Sequence, residues 1–308
     1  MKVVLTDKIY LTSSQRSNLL KMANAVIYDD VPSSEEEIIK RIKDADIVTA
    51  NWININKKII NNSPKLKYVV VPAVGYEWVD IKTASERKIK VSNCPAHSGT
   101  TVAEFTIALL FAVTKRIVEA NDDLQKQIWK PLYYTGTELN GKKIGIIGYG
   151  NIGRNVARLA QGLGMEIMYA NSTSSDEELD NIIRNVDFLS LNLPLTDKTR
   201  NLIDKRRLNL LKSSAYIINT ARGAIVDQKA LMEMLKYNKI AGAALDVYDN
   251  EPLTGKPSHD IVELAMLKNV VATPHIAFNT QEASVRLGDE LINNIKNYLE
   301  GKLTNLVN

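Results

Sequence analysis

The stretch Lys142 to Gly153, Lys-Lys-Ile-Gly-Ile-Ile-Gly-Tyr-Gly-Asn-Ile-Gly, constrains this chain more than any other. Ile144, Ile146 and Ile147 form a short apolar run of strand formers that ends directly in Gly148-x-Gly150-x-x-Gly153, and helical periodicity follows from Arg154 to Gln161. A strand, a tight turn and a helix in that order can hold a dinucleotide. One glycine allows the turn, one lets the backbone approach a pyrophosphate, and one lets helix and strand pack closely. N–H groups at the helix start would face the negative charge. Three glycines can also be plain structural punctuation, so the rest of the chain must agree before the site is accepted.

With 308 residues the chain is at the upper limit for one core, and two domains are the expectation. The balance of 39 basic and 35 acidic side chains leaves a net +4, with the lysines scattered. Such a charge argues for neither nucleic acid nor a membrane surface as partner. The single cysteine, Cys94, excludes an internal disulfide and a thiolate metal cluster, which suits a cytoplasmic protein without a metal. Val3 to Leu5, interrupted by Asp7, is a first strand and not a signal peptide, and no apolar run is long enough to span a membrane.

Before the glycine turn the spacing predicts strands at Val3–Thr6, Ala25–Tyr28, Ile47–Ala50, Tyr68–Val71 and Ile89–Val91. Helices fall between them, one capped by Ser33 or Ser34 and another starting at Asn54 or Asn56. Strands alternating with helices imply a parallel sheet covered on both faces, complete by residue 95. Two of its loops lie at carboxyl ends of strands, where such sheets bind ligands. One is Asn51-Trp52, whose indole is either a pocket wall or a packed aromatic. The other is Pro72 to Tyr76, where Gly75 could let backbone N–H groups meet a carboxylate.

A boundary is expected between Cys94 and Thr101, ahead of an apolar helix over Val102–Val113. Asn121 to Gly141, with Trp129, Tyr133 and Tyr134, reads as irregular, either an ordinary loop or an arm reaching a second subunit. Beyond the turn, strands are expected at Glu166–Ala170, Phe188–Leu191, Ala215–Asn219, Ala243–Val247 and Val270–Thr273, and a long amphipathic helix over Glu282–Leu299. The strand after the fingerprint ends in Asn171-Ser172-Thr173-Ser174. An NAD-specific site usually has an acid there to bind the ribose 2′-hydroxyl. Without one, NADP is tolerated or preferred, although the next cation along the chain is Arg184.

Three polar residues follow predicted strands: Arg222, Glu251 and His275. Each alone has a structural explanation, as a surface ion pair, a turn or a loop cap. Together on the binding edge they match one reaction. Hydride transfer to a carbonyl carbon develops alkoxide, which histidine can protonate. A carboxylate on its second nitrogen fixes the tautomer, and an arginine fork can hold an α-keto acid by two oxygens.

These residues sit in an ordered set of motifs: Gly148-Tyr149-Gly150-Asn151-Ile152-Gly153; Asn192-Leu193-Pro194-Leu195-Thr196 with Thr199; Asn219-Thr220-Ala221-Arg222-Gly223; Asp246-Val247 with Glu251-Pro252-Leu253; and Thr273-Pro274-His275-Ile276-Ala277. The set resembles the D-isomer-specific 2-hydroxyacid dehydrogenases, with Val102-Ala103-Glu104 a weaker match. The resemblance implies two Rossmann-like or flavodoxin-like doubly wound α/β domains with parallel sheets: a substrate domain of 1–97 plus 281–308, and a dinucleotide-binding domain of 98–280. It implies that Arg222 binds and polarises the keto acid, that His275 is the acid/base and that Glu251 orients it. Backbone amides at Val74 and Gly75 would take the substrate carboxylate, and Trp52 would contact its side group.

On the same resemblance the NAD(P) contacts comprise Gly148 to Gly153, Asn171, Ser172, Thr173, Asn192, Pro194 near the adenosine, Thr199, and Thr220, Ala221, Asp246 and His275 around the nicotinamide. A homodimer through the dinucleotide domains would give the Asn121–Gly141 arm a role. Asn171 departs from the family's usual aspartate. A missing phosphate-binding arginine cluster, and no regulatory domain after residue 308, argue against a biosynthetic phosphoglycerate dehydrogenase. Glu251 argues against formate dehydrogenases, which carry glutamine there. Trp52 favours a small keto acid, glyoxylate or hydroxypyruvate first and pyruvate next. Larger acids of the phenylpyruvate type, and a non-enzymatic NAD(H)-sensing corepressor, are the alternatives.

Overall fold

The structure is a computed structural model and describes residues 1–252 and 255–308. Leu253, the last residue of one motif above, lies outside the described residues. The chain divides into two compact units, Met1–Ser98 with Asn279–Asn308, and Gly99–Phe278.

The first unit contains β1 (Lys2–Leu5), α1 (Ser13–Met22), β2 (Asn24–Ile27), α2 (Glu35–Ile42), β3 (Ile47–Thr49), α3 (Lys57–Asn61), β4 (Tyr68–Val70), α4 (Ile81–Glu86) and β5 (Lys90–Ser92). Its sheet is parallel, in the order β2-β1-β3-β4-β5. The strands are short; β3 and β4 are fully buried and β1 is buried apart from Lys2, as a sheet covered on both faces requires. Of the two candidate caps for α2, Ser34 accepts from the Glu37 N–H, and Glu35 to Glu37 fill the first turn where acidic groups suit the dipole. Asn56 caps α3 in the same way, through the Ile59 N–H.

The second unit comprises α5 (Gly99–Thr114), α6 (Ile117–Gln125), β6 (Lys143–Ile147), α7 (Asn151–Gly162), β7 (Glu166–Ala170), α8 (Asp176–Asn185), β8 (Phe188–Leu191), α9 (Lys205–Leu208), β9 (Tyr216–Asn219), α10 (Gln228–Lys236), β10 (Gly242–Leu245), α11 (His259–Ala265) and β11 (Val270–Ala272). Its parallel sheet runs β11-β10-β9-β8-β6-β7. One apolar cluster lies under α8 and α10, another under α5 and α7, so the sheet is covered on both sides. Each sheet reverses its winding once, between β1 and β3 in the first unit and between β6 and β8 in the second. Ligands of open α/β sheets bind at such reversals, beyond the carboxyl ends of the strands.

The expectation of an irregular Asn121–Gly141 needs correction, since its first five residues complete α6. None of the residues of α6 is buried, and Ile117 and Leu124 are exposed, so the helix lacks the inward apolar stripe that marks helices in a sequence.

The last helix, α12 (Gln281–Leu299), belongs to the first unit. Leu291 and Ile295 join Val3, Leu5 and Tyr68 in one cluster, and Tyr298 stacks on Tyr68 at 4.2 Å. Burying two such aliphatic side chains stabilises the packing by roughly 3–6 kcal/mol before entropy is counted. No helix among the described residues is long and apolar enough to cross a membrane.

Candidate active site

The three fingerprint glycines differ in what surrounds them. Gly148 has φ +94°, and a Cβ there would lie 2.4 Å from the Asn192 carbonyl oxygen, so the turn requires glycine. A Cβ on Gly153 would lie 2.1 Å from the Gly148 carbonyl oxygen, which leaves α7 no room for a side chain against the turn. Gly150 is the opposite case, with nothing within 4 Å of its Cβ position. It is the N-cap of α7 and makes no side-chain cap, so the N–H groups of the first turn have no capping side chain to bind. That is the cradle a pyrophosphate needs. Replacing Gly153 by alanine is expected to lower stability by about 1–3 kcal/mol through overpacking. Gly150→Ala is expected to melt as the wild type does but to weaken NAD(P)H binding about 10-fold or more, a difference read by thermal melts and fluorescence titration.

The neighbouring loops complete that edge of the sheet. Tyr149 stacks on Tyr169 of β7 at 4.0 Å, and Ile152 is half-buried beneath the turn. Asn151 packs against the first turn of α5, where a Cβ on Gly99 would lie 2.4 Å from its Nδ2. Beyond β8, the Thr199 hydroxyl donates to the Pro194 carbonyl at 2.7 Å and closes the loop on itself. The Asn192 Nδ2 donates to the Ser190 hydroxyl at 3.0 Å, while its Oδ1 is buried without a hydrogen-bond partner. A buried acceptor left unsatisfied at the winding reversal is a position that a bound polar ligand can satisfy.

At the end of β7, the Asn171 Oδ1 accepts from both the N–H and the hydroxyl of Thr173, at 2.8 and 2.6 Å. Thr173 therefore donates its hydroxyl hydrogen to Asn171, and fewer hydroxyls are left to donate to a ligand than a count along the sequence suggests. Linear reading also passed over Arg154, which is exposed and donates from Nη1 to the Tyr149 carbonyl, placing a cation at the glycine turn.

The Arg222 loop is built by Asn219. Its side chain accepts from the Ala221 N–H at 3.0 Å and donates to the Arg222 carbonyl at 2.9 Å, clipping both ends of the turn after β9. The Thr220 hydroxyl shares a 2.8 Å hydrogen bond with Thr106 of α5. Gly223 then lies so close to the Tyr248–Asp249 peptide that a Cβ would sit 1.8 Å from the Tyr248 carbonyl carbon. Only glycine lets the Arg222 loop approach the loop that carries Glu251.

His275 and Glu251 meet directly, with His275 Nδ1 2.6 Å from Glu251 Oε2. The other carboxylate oxygen accepts the Tyr248 N–H at 2.6 Å, which fixes its plane. The imidazole side chain is 41% exposed, so its second nitrogen remains accessible from outside. His275 itself has φ 53°, a left-handed backbone that a non-glycine residue adopts only when its surroundings hold it.

Asp246 does the holding. Its carboxylate, fully buried, accepts from the Thr273 hydroxyl, the Ile276 N–H and the Ala277 N–H at 2.6, 2.9 and 2.8 Å. Its main-chain carbonyl accepts the His275 N–H at 2.8 Å. Burial holds the Asp246 carboxyl above its usual range, against the opposing pull of these donors. Tyr248 ties the same two strand ends together by donating its hydroxyl to the Leu245 and Thr273 carbonyls. Sequence reading missed Asn219 and Tyr248 as builders of the site, since each acts on residues that only the fold brings near.

In the first unit, Trp52 follows β3 at the winding reversal and its side chain is partly exposed. The carbonyls of Ala73 and Val74 accept from the Cys94 N–H at 2.9 Å and from Asn93 Nδ2 at 2.7 Å. Peptide bonds here are trans, so the N–H groups of Val74 and Gly75 point away from those partners. The loop thus presents two neighbouring donors on one side, an arrangement suited to a carboxylate.

Residues 107–277 match the sequence model of the D-isomer specific 2-hydroxyacid dehydrogenase, NAD binding domain. A glyoxylate reductase of Korarchaeum cryptofilum is 37% identical over 296 residues, covering 91% of this chain and 88% of that protein. A hydroxypyruvate reductase of Blautia hydrogenotrophica is 33% identical over 326 residues, covering all of both. Among solved structures, an acyclic imino acid reductase in complex with NADPH and D-Arg has a TM-score of 0.90 and 32% identity over the whole of both chains.

Proposed function

The chain belongs to the D-isomer-specific 2-hydroxyacid dehydrogenase family and is an NAD(P)-dependent reductase of small 2-keto acids to D-2-hydroxy acids, and from that premise we propose glyoxylate or hydroxypyruvate as its preferred substrate, with pyruvate next. The observation that carries the catalytic reading is the His275–Glu251 pair with its imidazole open to the outside. When bound, NAD(P)H supplies the hydride. His275, held in one tautomer by Glu251, delivers the proton to the substrate oxygen and takes it back in the reverse direction. Arg222 binds the keto acid and polarises its carbonyl. Val74 and Gly75 donate backbone N–H groups to the carboxylate, and Trp52 lies against the side group. Gly99–Phe278 is the coenzyme unit, and Met1–Ser98 with Asn279–Asn308 the substrate unit.

The open Cβ position of Gly150, the uncapped start of α7 and the unsatisfied Asn192 Oδ1 support NAD(P) at the glycine turn. Around it we assign Tyr149, Asn151, Ile152, Ser172, Thr173, Pro194 and Thr199, with Thr220, Ala221 and Asp246 on the nicotinamide side. Asn171 carries no charge to repel a 2′-phosphate, and Arg154 adds a cation nearby, which supports use of NADP. A cytoplasmic homodimer is part of the same reading. Trp129 is 80% exposed and Leu132 93% exposed, and apolar side chains so uncovered suit a subunit contact.

A panel of glyoxylate, hydroxypyruvate, pyruvate and phenylpyruvate, each with NADH and NADPH at equal concentration, tests the proposal through initial rates and product chirality. We expect the two- and three-carbon acids to have the highest kcat/KM and NADPH to support turnover at least as well as NADH. A strong preference for phenylpyruvate would overturn the substrate assignment, and a strong preference for NADH the argument from Asn171.

A further inference from the structure

One buried carboxylate has no part in the mechanism above. Asp7 follows β1 at the winding reversal of the first sheet and is fully buried. Its Oδ1 accepts the Asn51 N–H at 3.3 Å and its Oδ2 accepts the Trp52 N–H, so one side chain holds two consecutive amides of the loop after β3. The loop is gripped from other sides too. Asn51 Nδ2 donates to the Lys8 carbonyl at 3.0 Å, and Trp78 Nε1 donates to the Ala50 carbonyl at 2.9 Å. With its amide drawn inward onto Asp7, Trp52 is nevertheless 41% exposed as a residue. A buried charge is costly in a protein interior, and a loop turn alone could be held by an asparagine or a serine.

We propose that Asp7 is a positioning residue for substrate selection, setting the Trp52 indole that meets the side group of the keto acid. The inference rests on the reading of Trp52 given above. A carboxylate serves here because it accepts from both amides at once, whereas an amide side chain presents a donor to one of them. The charged group behind it is Arg41 of α2, which donates to the Thr6 carbonyl and is itself paired with Asp30 and Glu37, while Lys8 is next in the chain.

Burial pushes the Asp7 carboxyl up to about 6, against the opposing pull of the Trp52 and Asn51 amides and of Arg41. The charge is therefore present above about pH 6 and is lost as pH falls through that value. Keto-acid KM should rise below pH 6 in step with that loss, separately from any change in kcat.

Two measurements on the enzyme test this. The first is 19F NMR of protein labelled with fluorotryptophan, the Trp52 resonance being assigned by Trp52→Phe. It should shift with a midpoint near pH 6 in the wild type, and in Asp7→Asn it should be displaced and insensitive to pH there. The second is steady-state kinetics with glyoxylate. Asp7→Asn should raise KM about 10-fold, as a misplaced contact does, with kcat and NAD(P)H affinity within about twofold. Its effect and that of Trp52→Ala should not add.

A Trp52 resonance unmoved by Asp7→Asn, and unmoved by pH in the wild type, would overturn the positioning role. A resonance that moves while KM stays constant would overturn the link to substrate and the assignment of Trp52, leaving that of His275 intact. Should Asp7→Asn fail to fold, the wild-type titration of resonance and KM decides alone, since a purely structural carboxylate predicts no coincidence between the two.

Discussion

His275→Gln is expected to fold, bind NAD(P)H with near-normal affinity and lose about 10²–10⁴-fold in kcat, the range supplied by a positioned acid/base. Glutamine can keep a hydrogen bond to Glu251 but cannot pass a proton. The loop should survive because it is held through the main chain, by the His275 N–H on the Asp246 carbonyl and by the Ile276 and Ala277 amides on the Asp246 carboxylate. The left-handed φ of 53° costs any side chain other than glycine on the order of 1–2 kcal/mol, and histidine already bears that cost. His275→Asn is the useful control, since asparagine tolerates this backbone well and also lacks the proton. Near-normal turnover in either variant, measured under saturating cofactor and keto acid, would remove His275 from the chemistry. A large loss of cofactor affinity would instead say that the imidazole acts mainly in binding.

Much of the scaffold behind that histidine is legible in the chain. Strand β7 begins and ends where its apolar run places it, and α2 and α3 start at Ser34 and Asn56, each one of two caps open to the chain, because apolar runs and capping side chains are local signals. The three strand-end residues are legible for the same reason, each lying a few positions beyond an apolar run. What the sequence hides is contact between distant segments. Gly223 appears as one more glycine until the Tyr248–Asp249 peptide is seen against it, and Asp246 appears as a polar strand end until three donors of the 273–277 loop converge on it. Asp7 is hidden in the same manner, since the amides it holds lie more than forty residues away. Helix α6 is hidden for another reason: it buries no side chain, so no periodic stripe announces it.

The second large effect is expected at Arg222. Its truncation to alanine should raise the KM for keto acid steeply and lower kcat/KM by a factor of about 30 to several thousand, corresponding to the 2–5 kcal/mol lost when one partner of a hydrogen-bonded charge pair is removed. The effect should be confined to the keto acid. Asn219 clips the backbone of this turn at the Ala221 amide and the Arg222 carbonyl, and Gly223 keys it against Tyr248, so most of the turn is held without the guanidinium, whose Nη1 adds a 2.8 Å hydrogen bond to the Ala221 carbonyl. Melting temperature and NAD(P)H affinity should therefore change little. Arg222→Lys separates charge from geometry. Lysine restores a positive charge but not the planar fork, and if two substrate oxygens are held together it should recover only a small part of the loss. Added guanidinium should rescue the alanine variant more than the lysine variant, because only the former has both the space and the missing charge. Unchanged keto-acid binding in Arg222→Ala would refute the clamp. Full activity in Arg222→Lys would reduce it to a point charge, which any cation at the end of β9 could provide.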